Sequence, residues 1–331
     1  MVVKTILILA LYLVPYFLII SGSLQPSIML GLCVIMGIGM AGIGFSIAHD
    51  ALHGAYSSKN WVNKTLGLTF DFLGANGYIW KITHNVIHHT YTNIYGQDED
   101  LDVAAFIRLC PHAPYKKIHR IQPYLAFFAY SLATLSWVFA KDYYQFTRSK
   151  LGPYENKKHP ASEWATLIVG KLVYYSYFFV LPALILPLAW WQLLIGYLVV
   201  HLTAGLTLGV VFQLAHTVEQ TSFPTENEQN MIEQSWMIHE METTADFARS
   251  NKLLSWYIGG LNFQIEHHLF PRVCSIHYPE ISPIVEEVAK EYGVPFHAHE
   301  TLFGAIRSHY RTLKKYSIPP PEAGVMSLAE G

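Results

Sequence analysis

The chain reads as an all-α membrane protein: four transmembrane helices carrying a helical cap on the cytosolic side. Three observations predict this. Of 331 residues, 52% are hydrophobic and only 14% charged, with a mean hydropathy of +0.24, whereas soluble domains carry about 25% charged residues. Four apolar runs each approach the ~20 residues that a bilayer span requires. Basic residues are absent from the two short links that join those runs in pairs.

The first run, residues 2–20, follows Met1 and is read as a retained span rather than a cleaved leader. The second, residues 28–48, carries Gly31, Gly37, Gly39, Gly42 and Gly44, as closely packed membrane helices do. The third covers 166–188 and the fourth 190–215, with Trp190 and Trp191 where an interfacial aromatic belt would lie. SGSLQPS and LPLAWWQ are the hairpin links. Two weaker segments, Leu66–Trp80 and Tyr124–Ala140, are read as helices packed at the membrane surface. Residues 49–165 and 216–317 then form the cytosolic cap of one domain spanning 1–331, with 318–331 a flexible tail.

Charge sets the orientation. Of 22 Lys+Arg, 12 lie between Lys59 and Lys158 and 8 between Arg249 and Lys315. The positive-inside rule places both termini and both loop regions in the cytosol. A net charge of -2 and a pI of about 6.8 give no basic tract for nucleic acid. Cys33, Cys110 and Cys274 have no metal-type spacing and are expected to be free thiols.

Seven of the 17 histidines fall in three short stretches: HDALH (His49, His53), HNVIHH (His84, His88, His89) and QIEHH (His267, His268). Helical residues four apart share a face, so His49 projects with His53 and His84 with His88. Gln264 precedes His267 and His268 by three and four positions, and His216 ends the fourth run. Four spans place all of them on one side. Clustered imidazoles without thiolates suit Fe, Zn, Cu or Ni. Asp50, Asp71, Glu219, His239, Asn262, Glu266 and the stretch Asp98–Asp102 are candidates to orient the rings through their second nitrogen. The remaining histidines, His309 among them, are expected in solvated or capping positions, and His201 is expected to face the bundle interior.

HDALHG, HNVIHHTYTN and NFQIEHHLFP resemble the histidine boxes of the membrane fatty acid desaturases. Glutamine opening the third box is similar to the front-end subgroup, particularly the bacterial linoleoyl-CoA-type enzymes. The resemblance extends from the second span to about Tyr310, including GQDEDLD and HYPEISPIV. It implies a di-iron centre ligated by His49, His53, His84, His88, His89, His216, His267, His268 and Gln264. It implies O2-dependent desaturation of a long acyl-CoA or acyl lipid, between an existing double bond and the carboxyl end. Related stearoyl-type enzymes carry an Asn four residues before the ligand at His216; Phe212 stands there in this chain.

The sequence contains no HPGG motif, and no fused haem domain is expected. The resemblance therefore implies a separate electron donor, ferredoxin or free cytochrome b5 with its reductase. Lys116, Lys117, Arg120, Lys157, Lys158, Arg307, Arg311, Lys314 and Lys315 could steer an acidic donor. The expected location is the bacterial inner membrane. Alternatives are a hydroxylase with the same boxes, a bis-histidine haem relay, and a membrane metal transporter or sensor; a transporter would place its ligands near the midplane, where only His201 falls.

Overall fold

The helix-rich pattern of the sequence is realised almost throughout a computed structural model that describes residues 1–155, 158–227 and 232–320. The helices are α1 (Val2–Ile20), α2 (Pro26–Leu52), α3 (Asn60–Phe72), α4 (77–91), α5 (Lys117–Ser131), α6 (Ala133–Thr147), α7 (Ala161–Ile185), α8 (Trp190–His216), α9 (Trp236–Thr243), α10 (Lys252–Tyr257), α11 (Gln264–Leu269), α12 (Tyr278–Tyr292) and α13 (Leu302–Tyr316). Among the described residues, two pairs of two-residue strands qualify the all-α expectation: Lys150–Leu151 with Tyr154–Glu155, antiparallel, and Asp246–Phe247 with Ala298–His299, parallel. Lys157 and the tail from 321 lie outside the described residues.

Among the described residues, four helices are long and apolar enough to cross a bilayer: α1, α2, α7 and α8. They match the four expected runs, with α2 extended to Leu52 and α7 starting earlier, at Ala161. The weak segment Tyr124–Ala140 is no straight span; α5 and α6 meet at 57°. The other weak segment is broken between α3 and α4 at Leu73–Asn76, where Gly74 has a φ of +84°.

Helix α2 is the axis of the bundle, packed by α1 on one side and α8 on the other. Its glycines make this possible. A Cβ on Gly39 would lie 2.6 Å from the backbone of Leu11 and Tyr12, and one on Gly37 would lie 2.6 Å from the Val200 carbonyl. Small residues let membrane helices approach to backbone contact. The outer helices turn Phe17, Ile168, Val169, Leu172 and Leu184 outward, an apolar surface far larger than a soluble monomer exposes.

Candidate metal centre

Each histidine stretch is placed by a distinct local device. Before His49, α2 widens into a π-wound turn at Gly44–Ala48, a feature common at functional sites. His49 and His53 then bring their rings to 4.6 Å. The second stretch begins at a capped helix. Asn76 Oδ1 accepts the Ile79 N–H at 2.9 Å, and Asn76 Nδ2 donates to Asp71 Oδ1 at 3.1 Å. All of Lys81–His88 is π-wound, so His84 and His88 stack at 5.1 Å. The third stretch is the six-residue α11, held where Asp246 Oδ1 accepts the Ile265 N–H at 3.1 Å.

These elements and the end of α8 bring eight buried imidazoles into one cluster. His49, His53, His84 and His267 have ligand nitrogens within 4.8 Å of one another, as do His88, His216 and His268. His89 completes a further set with His267 and His268 and so stands between the two. Both ring nitrogens of His49 and His89, and Nε2 of His53, His84, His267 and His268, are buried without a hydrogen-bond partner. Each unmade bond of this kind costs roughly 1–3 kcal/mol. Neutral nitrogens converging in a dry pocket are what a pair of imidazole-ligated metal ions needs. Residues close in sequence divide between these two groups, His88 from His84 and His268 from His267, while His84 and His88 also form a set with the exposed Asp100.

Second nitrogens are oriented by partners that are largely distant in sequence. His88 Nδ1 lies 3.1 Å from Asp98 Oδ2, and the same oxygen accepts the Asn93 N–H at 3.0 Å. His268 Nδ1 lies 2.6 Å from Glu240 Oε2, which also accepts from Thr92 Oγ1 at 2.9 Å. His267 Nδ1 meets the Tyr278 hydroxyl at 3.3 Å, and His216 Nδ1 the Thr243 carbonyl at 3.4 Å.

The electrostatics follow from these partners. Burial, followed by repulsion from neighbouring imidazoles, holds His84, His89, His267 and His268 well below the usual imidazole range. These rings are neutral and free to ligate at pH 7. Burial also acts on His88, but Asp98 outweighs it and pushes that ring up to about 9. Burial raises Glu240 to about 8, so the Glu240–His268 pair is held without net charge.

Several expected orienting residues do other work. Asp50 Oδ2 accepts from Ser275 Oγ at 2.7 Å, tying the first stretch to the loop after the third. Asp71 buttresses the Asn76 cap and its burial raises it to about 7. Glu219 is exposed and pairs with Arg311 at 3.4 Å. Asn262 Nδ2 donates to the Ala248 carbonyl at 3.4 Å. Glu266, fully buried, faces Asp246 rather than a ring. His239 is buried but joins none of the metal-ligand sets. Gln264 is buried and its amide nitrogen donates to the Leu261 carbonyl at 2.8 Å.

Glu240, Tyr278 and Thr243 have no box spacing to mark them as ring partners; adjacency to His239 marks the segment of Glu240, and Tyr278 lies within HYPEISPIV. His309 is a correction of another kind. It is fully buried, with Tyr130 Oη 2.9 Å from Nε2 and Thr217 Oγ1 2.9 Å from Nδ1. Phe212 sets its ring edge-on to His84 at 6.4 Å, an apolar wall. Gln213 is turned away, its Oε1 accepting from Thr217. His201 faces the bundle interior as expected.

Comparison with known proteins gives the family of the chain. The family described as fatty acid desaturase matches residues 26–300. An sn-1 linoleoyl-lipid 6-desaturase of Arthrospira platensis is 38% identical, covering 99% of this chain and 89% of that protein. One from Synechocystis sp. is 36% identical over 95% of this chain and 88% of its own length. An acyl-lipid (8-3)-desaturase of Physcomitrium patens is 34% identical over 96% of this chain and 66% of its own. All eight histidines of the cluster lie inside the matched region, and on this coverage the chain belongs to the fatty acid desaturase family and is an enzyme.

Proposed function

We propose that this enzyme uses O2 and two external electrons to insert a double bond between an existing one and the carboxyl end of a lipid-linked acyl chain. The observation that carries the reading is the meeting of eight buried histidines, six of which keep at least one ring nitrogen without a hydrogen-bond partner. Front-end chemistry on a linoleoyl-type glycerolipid is supported by the names of the Arthrospira and Synechocystis relatives. The same names favour an acyl lipid over acyl-CoA as carrier.

In this reading His49, His53, His84 and His267 hold one iron, and His88, His216 and His268 the other. His89 stands between them and Gln264 supplies an oxygen ligand. Iron bound there would supply the O2 activation and C–H cleavage that no protein side chain can perform. The chain's own residues set the conditions. Asp98 and Glu240 fix the tautomers of His88 and His268, so that the opposite nitrogen of each ring faces its ion. Trp80, stacked on His84 at 4.3 Å, and Phe212 keep water from the cluster. Phe70 and Trp137 continue this wall, each packed 5.7 Å from its aromatic neighbour. They line a narrow apolar slot with Met40, Gly44, Thr134, Val138 and Leu208. Its volume of about 20 Å³ holds no chain as it stands, so substrate entry widens it.

The cap and all histidine stretches face the cytosol in this reading, with α1, α2, α7 and α8 crossing the membrane. The basic residues on the same side favour an acidic donor, ferredoxin or free cytochrome b5. The test is expression in a host without polyunsaturated lipids, supplied with defined fatty acids, with new double bonds located by derivatisation. A linoleoyl lipid should gain one double bond on the carboxyl side. A product gaining one oxygen instead would establish hydroxylation. No modified product from any long acyl substrate, with iron and donor present, would defeat the reading. Purified protein should hold two irons and show no Soret band.

A further inference from the structure

A fully buried imidazole in the membrane portion of the bundle, His201, separates two apolar spaces. Both long central helices give the same order. Along α2, Met29, Cys33 and Met36 line a cavity of about 520 Å³, Met40 and Gly44 line the narrow slot, and His49 begins the metal cluster. Along α8, which runs the other way, Tyr197 and Val200 line the cavity, His201 follows, Leu208 lines the slot, and His216 closes the cluster. Helical rise makes Met36 to His49 roughly 20 Å. The slot therefore lies between cavity and cluster, and His201, touching Thr134 of the slot and Tyr197 of the cavity, stands between the two spaces.

That barrier is a hydrogen-bonded knot. Thr134 lines the slot and its Oγ1 lies 3.0 Å from both the carbonyl and the Nδ1 of His201. On the other side His201 Nε2 bonds the Tyr174 hydroxyl. The Tyr197 ring, which forms part of the cavity wall, lies 4.4 Å from the imidazole, and Phe178 lies 5.6 Å away. Packing alone would be served by an apolar side chain. An ionisable residue within a membrane span, with each nitrogen engaged, is by default functional.

We infer that His201, pinned between Thr134 and Tyr174, is the floor against which the methyl end of the acyl chain stops, and that it sets which chain length is accepted. The inference rests on the acyl reading above. A chain entering from the cytosolic side passes the cluster, threads the slot and meets this ring. Methylenes beyond the floor have no place to go while the knot is closed, although the cavity behind it is large and apolar. Opening the knot joins the two spaces.

The test compares kcat/KM for acyl substrates that differ by two methylenes on the methyl side of the reacting carbons, using full-length enzyme in membranes with its donor. One methylene in an apolar pocket discriminates by roughly 10–200-fold. His201→Ala should raise the long-to-short ratio by about tenfold or more. His201→Leu, which keeps the bulk but lacks the hydrogen bonds that pin it, should raise the ratio by a smaller factor than His201→Ala. Thr134→Phe raises the floor and should lower the ratio by a similar factor. An unchanged ratio in inserted, iron-loaded His201→Ala overturns the inference, as does an equal shift in His201→Leu. Should His201→Ala fail to insert, a wild-type ratio in Thr134→Phe is sufficient to overturn it. Wild-type enzyme inactive on every acyl substrate would instead defeat the underlying reading.

Discussion

Glu240 carries the most direct consequence of the site geometry. Its Oε2 lies 2.6 Å from His268 Nδ1, at a fully buried position, and it shares the Thr92 hydroxyl. No other side-chain acceptor of comparable closeness serves that ring; Thr92 Oγ1 itself is 3.4 Å away. Truncation in Glu240→Ala leaves a buried N–H unpaired and frees the ring to rotate away from His88 and His216. Partners of this kind are worth 10–100-fold in metal affinity, or about 1.4–2.7 kcal/mol. Glu240→Gln keeps the shape and a neutral acceptor, so its loss should fall near the tenfold end. The assay is iron retention against a graded chelator, with cobalt substitution reporting ligand geometry by its visible bands. Half of the bound metal should be lost more readily in Glu240→Ala, with the ion served by His49, His53, His84 and His267 held as before. Equal retention of both ions in wild type and Glu240→Ala would refute the assignment, as would Glu240→Gln losing more metal than Glu240→Ala.

Other consequences follow from single positions. His267→Ala removes one member of the four-imidazole set and should abolish product formation while membrane insertion, followed by protease protection, is unchanged; retained turnover would remove His267 from the ligand set. Burial lowers His309 to about 4, against about 6.5 unfolded. Its contribution to stability is fully present above pH 6.5 and is lost as the pH falls toward 4. Relative to His309→Gln, wild type should lose about 2 kcal/mol between pH 7.5 and pH 5 in detergent unfolding; parallel profiles would contradict this. Lys171 Nζ donates to Asp142 Oδ2 at 2.7 Å and to the carbonyls of Gly74 and Trp137 at 2.7 and 2.8 Å. Lys171→Met should destabilise by about 3–5 kcal/mol because Asp142 is left buried and unpaired. Adding Asp142→Leu should recover most of that loss in thermal stability.

Much of the architecture is legible in the residues because bilayer crossing is a local property. A run such as Trp190–His216 needs only its own composition to be recognised. The spacing of His49 and His53 likewise predicts a shared face, and the two rings share one metal-ligand set. The pair His84 and His88 shows the limit. Their spacing is the same, yet the segment is π-wound; His84 joins the rings of α2, His88 joins His216 and His268, and the two meet only in a set with the exposed Asp100. Acidic partners divide in the same way. Asp98 follows its histidine by ten positions and lay within a stretch already marked. Glu240 was not, because it reaches His268 only through the packing of α9 against α11. Asp71 and Glu219 have the right chemistry but stand at a cap and a surface.

By itself the sequence determined the number and place of the apolar helices, the three histidine stretches and the family. Those are matters of composition and short-range periodicity, which each segment carries alone. Only the tertiary structure decided how eight imidazoles are divided between two groups. His267 and His268 are adjacent, but successive helical residues point about 100° apart, so one joins the α2 rings and the other joins His216. It also decided that Glu240, Tyr278 and Thr243 hold those rings, and that His201 lies between slot and cavity. Such contacts join segments far apart in the chain. Their identity follows from how the helices pack and is written in no local pattern.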